Sequence, residues 1–274
     1  TWTTDEAHAV LSAEEWDVAR RRWDIYPDGE MHHDPQKNVL WVARSVAALV
    51  DELDVEESKV RELLAGAKAK LGAARELRPA PFVDRTVYVN WNAMMAEAFL
   101  DAGAALGRED CARFALKTLE RLWDEGFVPG HGMPHRLDAA GTRHPTPNTP
   151  FLLDDQAQAA SAFLAAHEHT GDGRWLDRAR ELAEMMHAFY WDAEHGGFFD
   201  TPGASGAGFL TARAKPIQDA PTSSPNATAA LVLLRLHAVT EEARFRERAE
   251  ATLAAFAGSA AELGLYASTY ARAL

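Results

Sequence analysis

The chain has 274 residues, of which 47% are hydrophobic and 25% are charged, and its formal net charge at pH 7 is −13. This composition is that of a globular protein with a large core, and no low-complexity break divides it, so the sequence predicts one domain over residues 1–274. The acidic balance argues against nucleic acids and anionic membranes as partners, and no apolar run reaches the ~18–20 residues that span a bilayer. The first residues, TWTTDEAH, lack the pattern of a signal peptide, and we expect a cytoplasmic protein.

Helices and short extended runs are predicted before residue 91. Helices open at Thr4 and at Ser12, and the second start matches a capping box. Ser45 is expected to cap a helix over residues 46–53, and one long helix is predicted over residues 56–77, where prolines follow it. Residues 82–90 alternate polar and apolar side chains, which is typical of extended backbone.

Three later stretches repeat one another. They start at residues 91, 155 and 225, which are 64 and 70 residues apart, and Asn92, Gln156 and Asn226 coincide when the stretches are aligned. Each copy holds two helical segments, so the repeat predicts a stack of helical hairpins. A further helix is predicted over residues 262–274.

The two segments of each copy differ in their apolar pattern. The first segment, as in residues 157–166, is apolar nearly all round, which predicts burial on every face. The second segment, as in residues 175–186, is amphipathic. Alternating buried and half-exposed helices predict an all-α fold, a two-layer α/α toroid. The polar residue at the start of each inner helix then faces the mouth of the ring, where the long loops 124–153 and 192–224 gather.

Six short motifs arrive in the order and spacing of one family. They are residues 1–10, 37–40, 84–92, 153–157, 191–201 and 219–226. Over essentially its whole length the chain resembles the C-terminal helical part of the YyaL-type proteins, the spermatogenesis-associated thioredoxin-like family. This resemblance implies a six-hairpin toroid similar to those of N-acylglucosamine 2-epimerases and six-hairpin glycosidases. The family's thioredoxin-like domain and first hairpins have no counterpart in this sequence. We therefore expect an incomplete (α/α)6 toroid, a fragment of a longer parent, that self-association or a partner completes.

Two of the matched motifs lie at inner-helix starts. Trp91 and Asn92 fit the family's Trp-Asn motif. Asp155 fits the acidic position of its Leu-Glu-Asp-Tyr-Ala motif, where Asp154 replaces Glu and Gln156 replaces Tyr. The family's activity is poorly defined, so the resemblance implies a fold and a pocket more than a reaction.

A third motif precedes the last inner helix. Asp219, Ser224 and Asn226 fit the family's Asp-Gly-Ala-x-Pro-Ser-Gly-Asn motif. Three of its turn residues are replaced here, and Pro225 fixes the backbone angle φ at a position where the family has glycine.

Carboxylates are the candidate catalytic groups. Glycoside hydrolysis needs one protonated acid and one base or nucleophile, and Asp84, Asp155 and Asp219 are the candidates for such a pair. The alternative for the first turn of the middle inner helix is structural, with Asp154 or Asp155 capping the helix.

The remaining candidates are substrate-binding residues at the mouth. Trp91 is a candidate stacking platform for a sugar ring, with a core position as the alternative. Helix capping is the alternative for the polar residues at the inner-helix starts. Arg213 and Lys215 either bind an anionic group or pair with Asp219. The full substrate-binding set is Trp91, Asn92, Asp154, Gln156, His131, His135, Arg136, Arg213, Lys215, Ser224 and Asn226.

The histidines of the 124–153 loop are expected to serve as acid/base groups rather than metal ligands. His131 and His135 have a spacing that suits a metal only on a helix, and Gly132 and Pro134 break that helix. We therefore expect neither a metal nor a cofactor.

Two functions of different classes follow. The first is a carbohydrate-linked toroid, epimerase-like or glycosidase-like, with a small carbohydrate ligand at the inner-helix starts. The second is a catalytically silent helical scaffold that binds a partner. The carboxylates, Trp91 and the long loops favour the first hypothesis, and the absence of a complete catalytic signature favours the second.

Overall fold

The computed structural model describes residues 1–137, 149–203 and 213–274, which form two compact units, Thr1–Asp84 and Arg85–Leu274. Each unit has hydrophobic clusters of its own. The prediction of one domain over the whole chain stays a prediction. Parts of both predicted long loops, residues 138–148 and 204–212, lie outside the described residues.

The first unit consists of helices around one long helix. They are α1 (Thr4–Val10), α2 (Ala13–Arg22), α3 (Val46–Leu53) and α4 (Glu57–Glu76). Capping boxes at Thr3 and Ser12 open α1 and α2, and the Ser45 hydroxyl caps α3, as the sequence predicts. The long helix α4 packs against α1, α2 and α3. It buries Val60, Ala67 and Leu71.

The second unit contains the three predicted hairpins. They are formed by α5 (Val89–Leu106) with α6 (Glu109–Gly126), α7 (Leu153–Thr170) with α8 (Gly173–Tyr190), and α9 (Pro225–Thr240) with α10 (Ala243–Leu263). The inner helix α7 packs between α5 and α9. A 3₁₀ turn, Gly264–Ala267, and a short helix, α11 (Ser268–Ala273), follow, and α11 packs on α9.

Burial separates the inner helix α7 from the outer helix α8 as the sequence predicts, whereas the inner helix α5 buries one face and exposes Trp91 and Met95. From Asp155 to Ala166 every residue of α7 is buried, because neighbours cover the helix on all sides. The outer helix α8 buries a single face, with Trp175, Ala179, Leu182 and Met186 at helical spacing.

Helix boundaries differ from the prediction at both ends of this unit. The alternating stretch 82–90 contributes only a two-residue strand, β1 (Val87–Tyr88), which pairs antiparallel with β2 (Arg136–Leu137). Helix α5 then starts directly, at Val89. At the other end α10 continues to Leu263 and stops at Gly264, whose φ of 55° is a left-handed value that glycine tolerates. The final helix therefore begins later than predicted, at Ser268.

Candidate functional site at the inner-helix starts

The N-terminal ends of the three inner helices meet at one end of the second unit. The Asn90 side chain on α5 donates a hydrogen bond to Asp154 Oδ2 on α7 at 2.6 Å. From α7, Gln158 Nε2 donates to Ser223 Oγ, just before α9, at 3.0 Å, and to Asp154 Oδ1 at 3.2 Å. The repeat predicts this clustering, and the bonds join all three helix starts into one polar network.

A repeated set of hydrogen bonds ties the loops to these helix starts. Gln156 binds both backbone groups of Met133: its Oε1 accepts from Met133 N at 2.7 Å, and its Nε2 donates to Met133 O at 2.6 Å. Asn226 binds both backbone groups of Phe198 in the same way, at 2.7 and 2.9 Å. Each of the two loops is therefore held by the side-chain amide of the inner helix that follows it.

The same loops also bind the preceding inner helix. His135 O accepts from Val89 N at 3.1 Å, and Asp200 O accepts from Leu153 N at 3.0 Å. His135 and Asp200 each lie two residues after the residue that the amide holds. Each loop thus joins two neighbouring inner helices and satisfies the first N–H of the earlier one, which has no partner within its own helix.

These bonds assign Gln156 and Asn226 to anchoring. Both side chains are fully buried, and their amides are occupied by backbone groups. Glycine is required beside the first anchor, because a Cβ on Gly132 would lie 2.3 Å from Gln156 Oε1 and because its φ is 93°. Asn92 is half-buried and donates to Tyr88 O at 2.8 Å, as Gln156 does to Leu152 O.

Asp155 lies beneath His135 in the first turn of α7. Its carboxylate is fully buried, and its Oδ2 lies 3.1 Å from His135 Nδ1. The backbone N–H of Asn90 donates to Asp155 Oδ1 at 3.2 Å. The alternative in which Asp154 or Asp155 caps α7 is wrong, because Leu152 occupies the N-cap position and no side chain caps the helix. Asp154 and Asp155 lie two and three residues after the N-cap, within the first turn of the helix.

The pair perturbs the pKa of both its members. Burial raises the pKa of Asp155 to about 6, against the opposing effect of the His135 hydrogen bond. The hydrogen bond to Asp155 raises the pKa of His135 above its ordinary value, against the opposing effect of burial. The two groups are in contact, so they titrate as one coupled pair near neutral pH.

Aromatic side chains continue from this pair toward solvent. The Tyr88 ring lies 5.2 Å from the His135 ring and 5.0 Å from the Trp91 ring, measured between centroids. Trp91 is 58% exposed, so its side chain is outside the core and an indole face is open beside the histidine. Tyr88 was not among the sequence candidates. Its one signal was proximity to the Trp-Asn motif.

A second buried polar group lies near Asp155. The Tyr190 hydroxyl, at the end of α8, is buried and has no hydrogen-bond partner among the residues that the structure describes. Burial, and then the negative charge of Asp155, raise the pKa of Tyr190. The Tyr190 hydroxyl therefore stays protonated and is a neutral group near Asp155.

Asp219 lies in a different environment. Its Oδ1 accepts from Ser224 N at 2.8 Å, and its Oδ2 accepts from Thr269 N and from Ser268 Oγ, each at 2.8 Å. Burial alone would raise its pKa, but these donors, led by Thr269 N, bring the pKa of Asp219 below its ordinary value. Ser224 is the buried N-cap of α9 and accepts from Ala227 N. Both residues are engaged in local structure.

The two cations of the last loop also have local partners. Lys215 forms an ion pair with Asp192 and donates to Gly196 O at 2.8 Å. Arg213 donates to Thr201 O at 2.6 Å and to Phe189 O at 3.2 Å. The alternative in which these cations pair with Asp219 is wrong, because the turn after α8 provides their partners.

The remaining candidates lie on exposed backbone. His131 is exposed, with its ring 5.6 Å from the Phe151 ring, and Arg136 is an exposed residue of β2. Asp84 is the exposed last residue of the first unit. Its predicted catalytic role stays a prediction.

A polar cleft of about 440 Å³ lies between the inner helices and α11. Gln158 and Ser223, which belong to the network at the helix starts, also line this cleft. Arg235 on α9 crosses it, donating to Ser161 Oγ at 3.0 Å and pairing with Glu97 at 3.3 Å. The cleft therefore continues from the Asp154 network and offers hydroxyl, amide and charged groups.

Metal-binding geometry and membrane-spanning helices were both sought in residues 1–137, 149–203 and 213–274. No group of three or more His, Cys, Asp or Glu side chains in these ranges is arranged to hold a metal ion. No helix there is both long and apolar enough to cross a membrane.

Spermatogenesis-associated protein 20 of mammals is among the sequence relatives of the chain. The chain is 30% identical over 234 residues to human spermatogenesis-associated protein 20 and 31% identical over 234 residues to the mouse protein. Each match covers 84% of this chain and 29% of the relative, so the chain spans less than a third of their length. No family model matches the chain.

Solved structures with a similar fold are carbohydrate-active enzymes. A GH76 α-mannanase of Bacteroides thetaiotaomicron has a TM-score of 0.55 at 17% identity, with 72% of this chain and 52% of that chain covered. A cellobiose 2-epimerase of Bacillus thermoamylovorans has a TM-score of 0.52 at 14% identity, with 64% and 46% covered.

A third similar structure contains a ligand. It is an inactive GH76 α-1,6-mannanase of Salegentibacter in which two consecutive aspartates are replaced, in complex with α-1,6-mannotetrose. Its TM-score is 0.50 at 17% identity, with 88% of this chain and 68% of that chain covered. The sequence match confirms the relationship that the motifs predict: the chain is homologous to spermatogenesis-associated protein 20, and its fold is that of the α/α-toroid glycosidases and epimerases.

Proposed function

We propose that the second unit binds a neutral saccharide at the inner-helix starts and that His135 exchanges a proton with it. The observation that carries this proposal is the contact between His135 and the buried carboxylate of Asp155. A partly exposed imidazole against a buried carboxylate is a common arrangement of general acid/base catalysts.

The geometry gives the two residues of the pair different roles. Asp155 is fully buried and holds Nδ1 of His135, which fixes the ring and leaves Nε2 as the nitrogen available to a ligand. His135 is therefore the proposed catalytic residue, and Asp155 is its positioning residue. The raised pKa of His135 keeps a proton on the imidazole nearer to neutral pH.

Recognition of the sugar is assigned to three neighbours. Trp91 offers an exposed indole face, on which the C–H face of a sugar ring can stack. Asp154 is half-buried and accepts hydrogen bonds from Asn90 at 2.6 Å and from Gln158, a residue that also lines the cleft, at 3.2 Å. In this proposal Asp154 replaces Asp84 and Asp219 as the second acidic group.

The charge balance of the cleft supports a neutral ligand. The Arg235 guanidinium is neutralised by Glu97 at 3.3 Å and Glu168 at 3.0 Å. Asp101 and Arg272 add one charge of each sign, and the remaining polar atoms are the amide and hydroxyl groups of Gln158, Ser161, Ser223, Thr228 and Thr269. Donors and acceptors without a dominant charge suit a polyhydroxy compound better than a charged one.

The similar structures support the same class of ligand. The Salegentibacter mannanase binds an α-1,6-linked mannose oligosaccharide, and its inactive variant lacks two consecutive aspartates. Asp154 and Asp155 are likewise consecutive. We propose epimerase-like or glycosidase-like proton-transfer chemistry on a saccharide at this position.

Isothermal calorimetry with α-1,6-mannotriose, cellobiose and mannose tests the proposal. We expect at least one of these sugars to bind the parent chain. Trp91→Ala should weaken that binding about tenfold or more, because a well-placed aromatic contact contributes roughly 1–1.5 kcal/mol. Trp41→Ala, a change at a similarly exposed tryptophan of the first unit, is the matched control and should leave binding unchanged.

A second series tests the proton-transfer role. His135→Gln should abolish turnover of the bound sugar, followed by NMR of the product, while His169→Gln at the exposed end of α7 should not. The catalytically silent scaffold would be favoured if the parent chain bound none of these sugars. It would also be favoured if Trp91→Ala left sugar affinity unchanged and His135→Gln left turnover unchanged.

A further inference from the structure

The first unit contains a groove that is unrelated to the site above. Its volume is about 490 Å³. One wall is a face of α4 formed by Leu64, Lys68, Leu71 and Arg75, which recur at helical spacing. The opposite wall contains the Trp2 and Trp23 indoles. Trp2 and Leu71 are buried beneath it, while Trp23 and Leu40 are half-buried and Val42 is 58% exposed, so these three residues provide its apolar surface.

The face of α4 is shaped to receive another helix. Ala65 and Gly72 lie on it two turns apart, and a Cβ on Gly72 would meet no atom within 4 Å. Small residues at this spacing allow a second backbone to approach closely. From Leu64 to Arg75 the face is about 16 Å long, or about three helical turns.

The rim of the groove is basic although the unit is acidic. Residues 1–84 contain 17 Asp and Glu against 11 Lys and Arg, a formal charge of −6. Three of these bases, Arg22, Lys68 and Arg75, line the groove, and none of the acids does. Arg75 pairs with Glu76 at 3.1 Å, whereas Lys68 is exposed and has no ion pair with any residue of the fully described first unit. A cationic rim around an apolar floor is complementary to an amphipathic ligand with acidic flanks.

We propose that this groove is a docking site for an acidic amphipathic helix of a partner protein. Its apolar face would lie on the half-buried Trp23 and Leu40 and on the exposed Val42, and one of its carboxylates would pair with Lys68. Amphipathic helices commonly bind hydrophobic grooves in this way, with apolar anchor residues spaced along one face of the bound helix. The rim charges would set partner choice and association rate.

Fluorescence anisotropy on the whole chain tests the proposal with a defined probe. The probe is a fluorescein-labelled model helix with leucines on one face and glutamates on the other. A second probe has lysine in place of every glutamate. We expect the glutamate helix to bind at least about tenfold more tightly than the lysine helix, because each rim charge then attracts rather than repels.

Variants distinguish the groove from non-specific binding. Gly72→Leu fills the groove without a clash and should weaken the glutamate helix about tenfold or more. Gly258→Leu on α10, where an added Cβ also meets nothing within 4 Å, is the matched control. Lys68→Glu should weaken binding, and Lys117→Glu, a reversal of an exposed charge on α6, should not.

Three outcomes would overturn the proposal. One is equal binding of both helices, and another is binding that Gly72→Leu leaves unchanged. The third is binding of vesicles of phosphatidylcholine with phosphatidylserine that Gly72→Leu and Lys68→Glu abolish, which would identify a membrane surface as the occupant. Urea denaturation of each variant shows that the fold is retained.

Discussion

The starts of α7 and α9 are built on the same anchor but differ in their carboxylates. Gln156 and Asn226 hold the preceding loop by both backbone groups of one residue. Beside Gln156, Asp155 is buried against His135. At the position equivalent to Asp155, the start of α9 has Pro225, and the nearby Asp219 binds backbone N–H groups instead.

This difference shows that the donors around a carboxylate decide its role. Two backbone N–H groups and a hydroxyl stabilise the Asp219 anion, so its contribution to stability is present above its ordinary pKa and is lost as the pH falls through the lowered value. Burial disfavours the Asp155 anion, so its contribution is greatest in acid and is lost as the pH rises through about 6. The repeat supplies one scaffold with two electrostatic environments.

The shared anchor should give the largest effect on stability. Gln156→Ala and Asn226→Ala should each lower the free energy of unfolding of the second unit by about 4 kcal/mol. Each change leaves a buried backbone N–H and C=O unpaired and opens a cavity. Urea denaturation followed by circular dichroism measures the loss. Asn92→Ala is the control and should cost less than about 1 kcal/mol, since Asn92 is half-buried.

A large difference between the two anchors would break the comparison. If Asn226→Ala cost as little as Asn92→Ala, the two anchors would share a hydrogen-bond geometry but would not contribute equally to the free energy of unfolding.

The Asp155 environment should give the next largest effect, and it depends on pH. Because its pKa rises from 3.8 to about 6, Asp155 should lower the free energy of unfolding by about 2 kcal/mol between pH 4 and pH 8. Asp155→Asn keeps the shape of the side chain and should remove most of this dependence. The measurement is the free energy of unfolding from pH 4 to pH 8 for parent and variant. An unchanged pH profile in Asp155→Asn would count against the buried-carboxylate account.

Asp219 should show the opposite pH dependence with a smaller effect. Asp219→Ala removes three accepted hydrogen bonds at a partly exposed site and should cost about 2 kcal/mol at pH 7. The cost should shrink as the pH falls from the ordinary pKa of aspartate to the lowered value, because the unfolded parent is protonated first and the folded parent then loses its anion. Thermal unfolding at pH 7 and pH 3 checks this. A cost that is larger at pH 3 would contradict the assignment.

Trp91 should matter least for stability and most for ligand binding. Because the indole is 58% exposed, Trp91→Ala should change the free energy of unfolding by less than about 0.5 kcal/mol. Loss of sugar binding without loss of stability would identify the indole as a binding surface. A strongly destabilised variant would instead return Trp91 to the core, the alternative that the sequence left open.

Much of the fold follows from sequence because the repeat is periodic. The apolar pattern predicts buried inner helices such as α7, and the shared position of Asn92, Gln156 and Asn226 predicts that the helix starts meet. Propensities and spacing act locally, so they identify helices well. They place helix starts less well, and α5 begins two residues before Trp91, where β1 ends.

The site is less predictable because its contacts are formed by loops. His135 and Asp155 are 20 residues apart in sequence, with a loop between them, so no spacing rule brings them together. The anchoring role of Gln156 depends on backbone groups of Met133, which carry no sequence signal. Lys215 pairs with Asp192 because the chain turns back after α8, and the sequence offered Asp219 as a nearer candidate.

The most direct test of the central claim is an NMR pH titration of the His135 imidazole in the parent chain and in Asp155→Asn. If Asp155 controls the proton on His135, the pKa of His135 should lie above its ordinary value in the parent and fall in the variant. An equal His135 pKa in the two proteins would contradict the account.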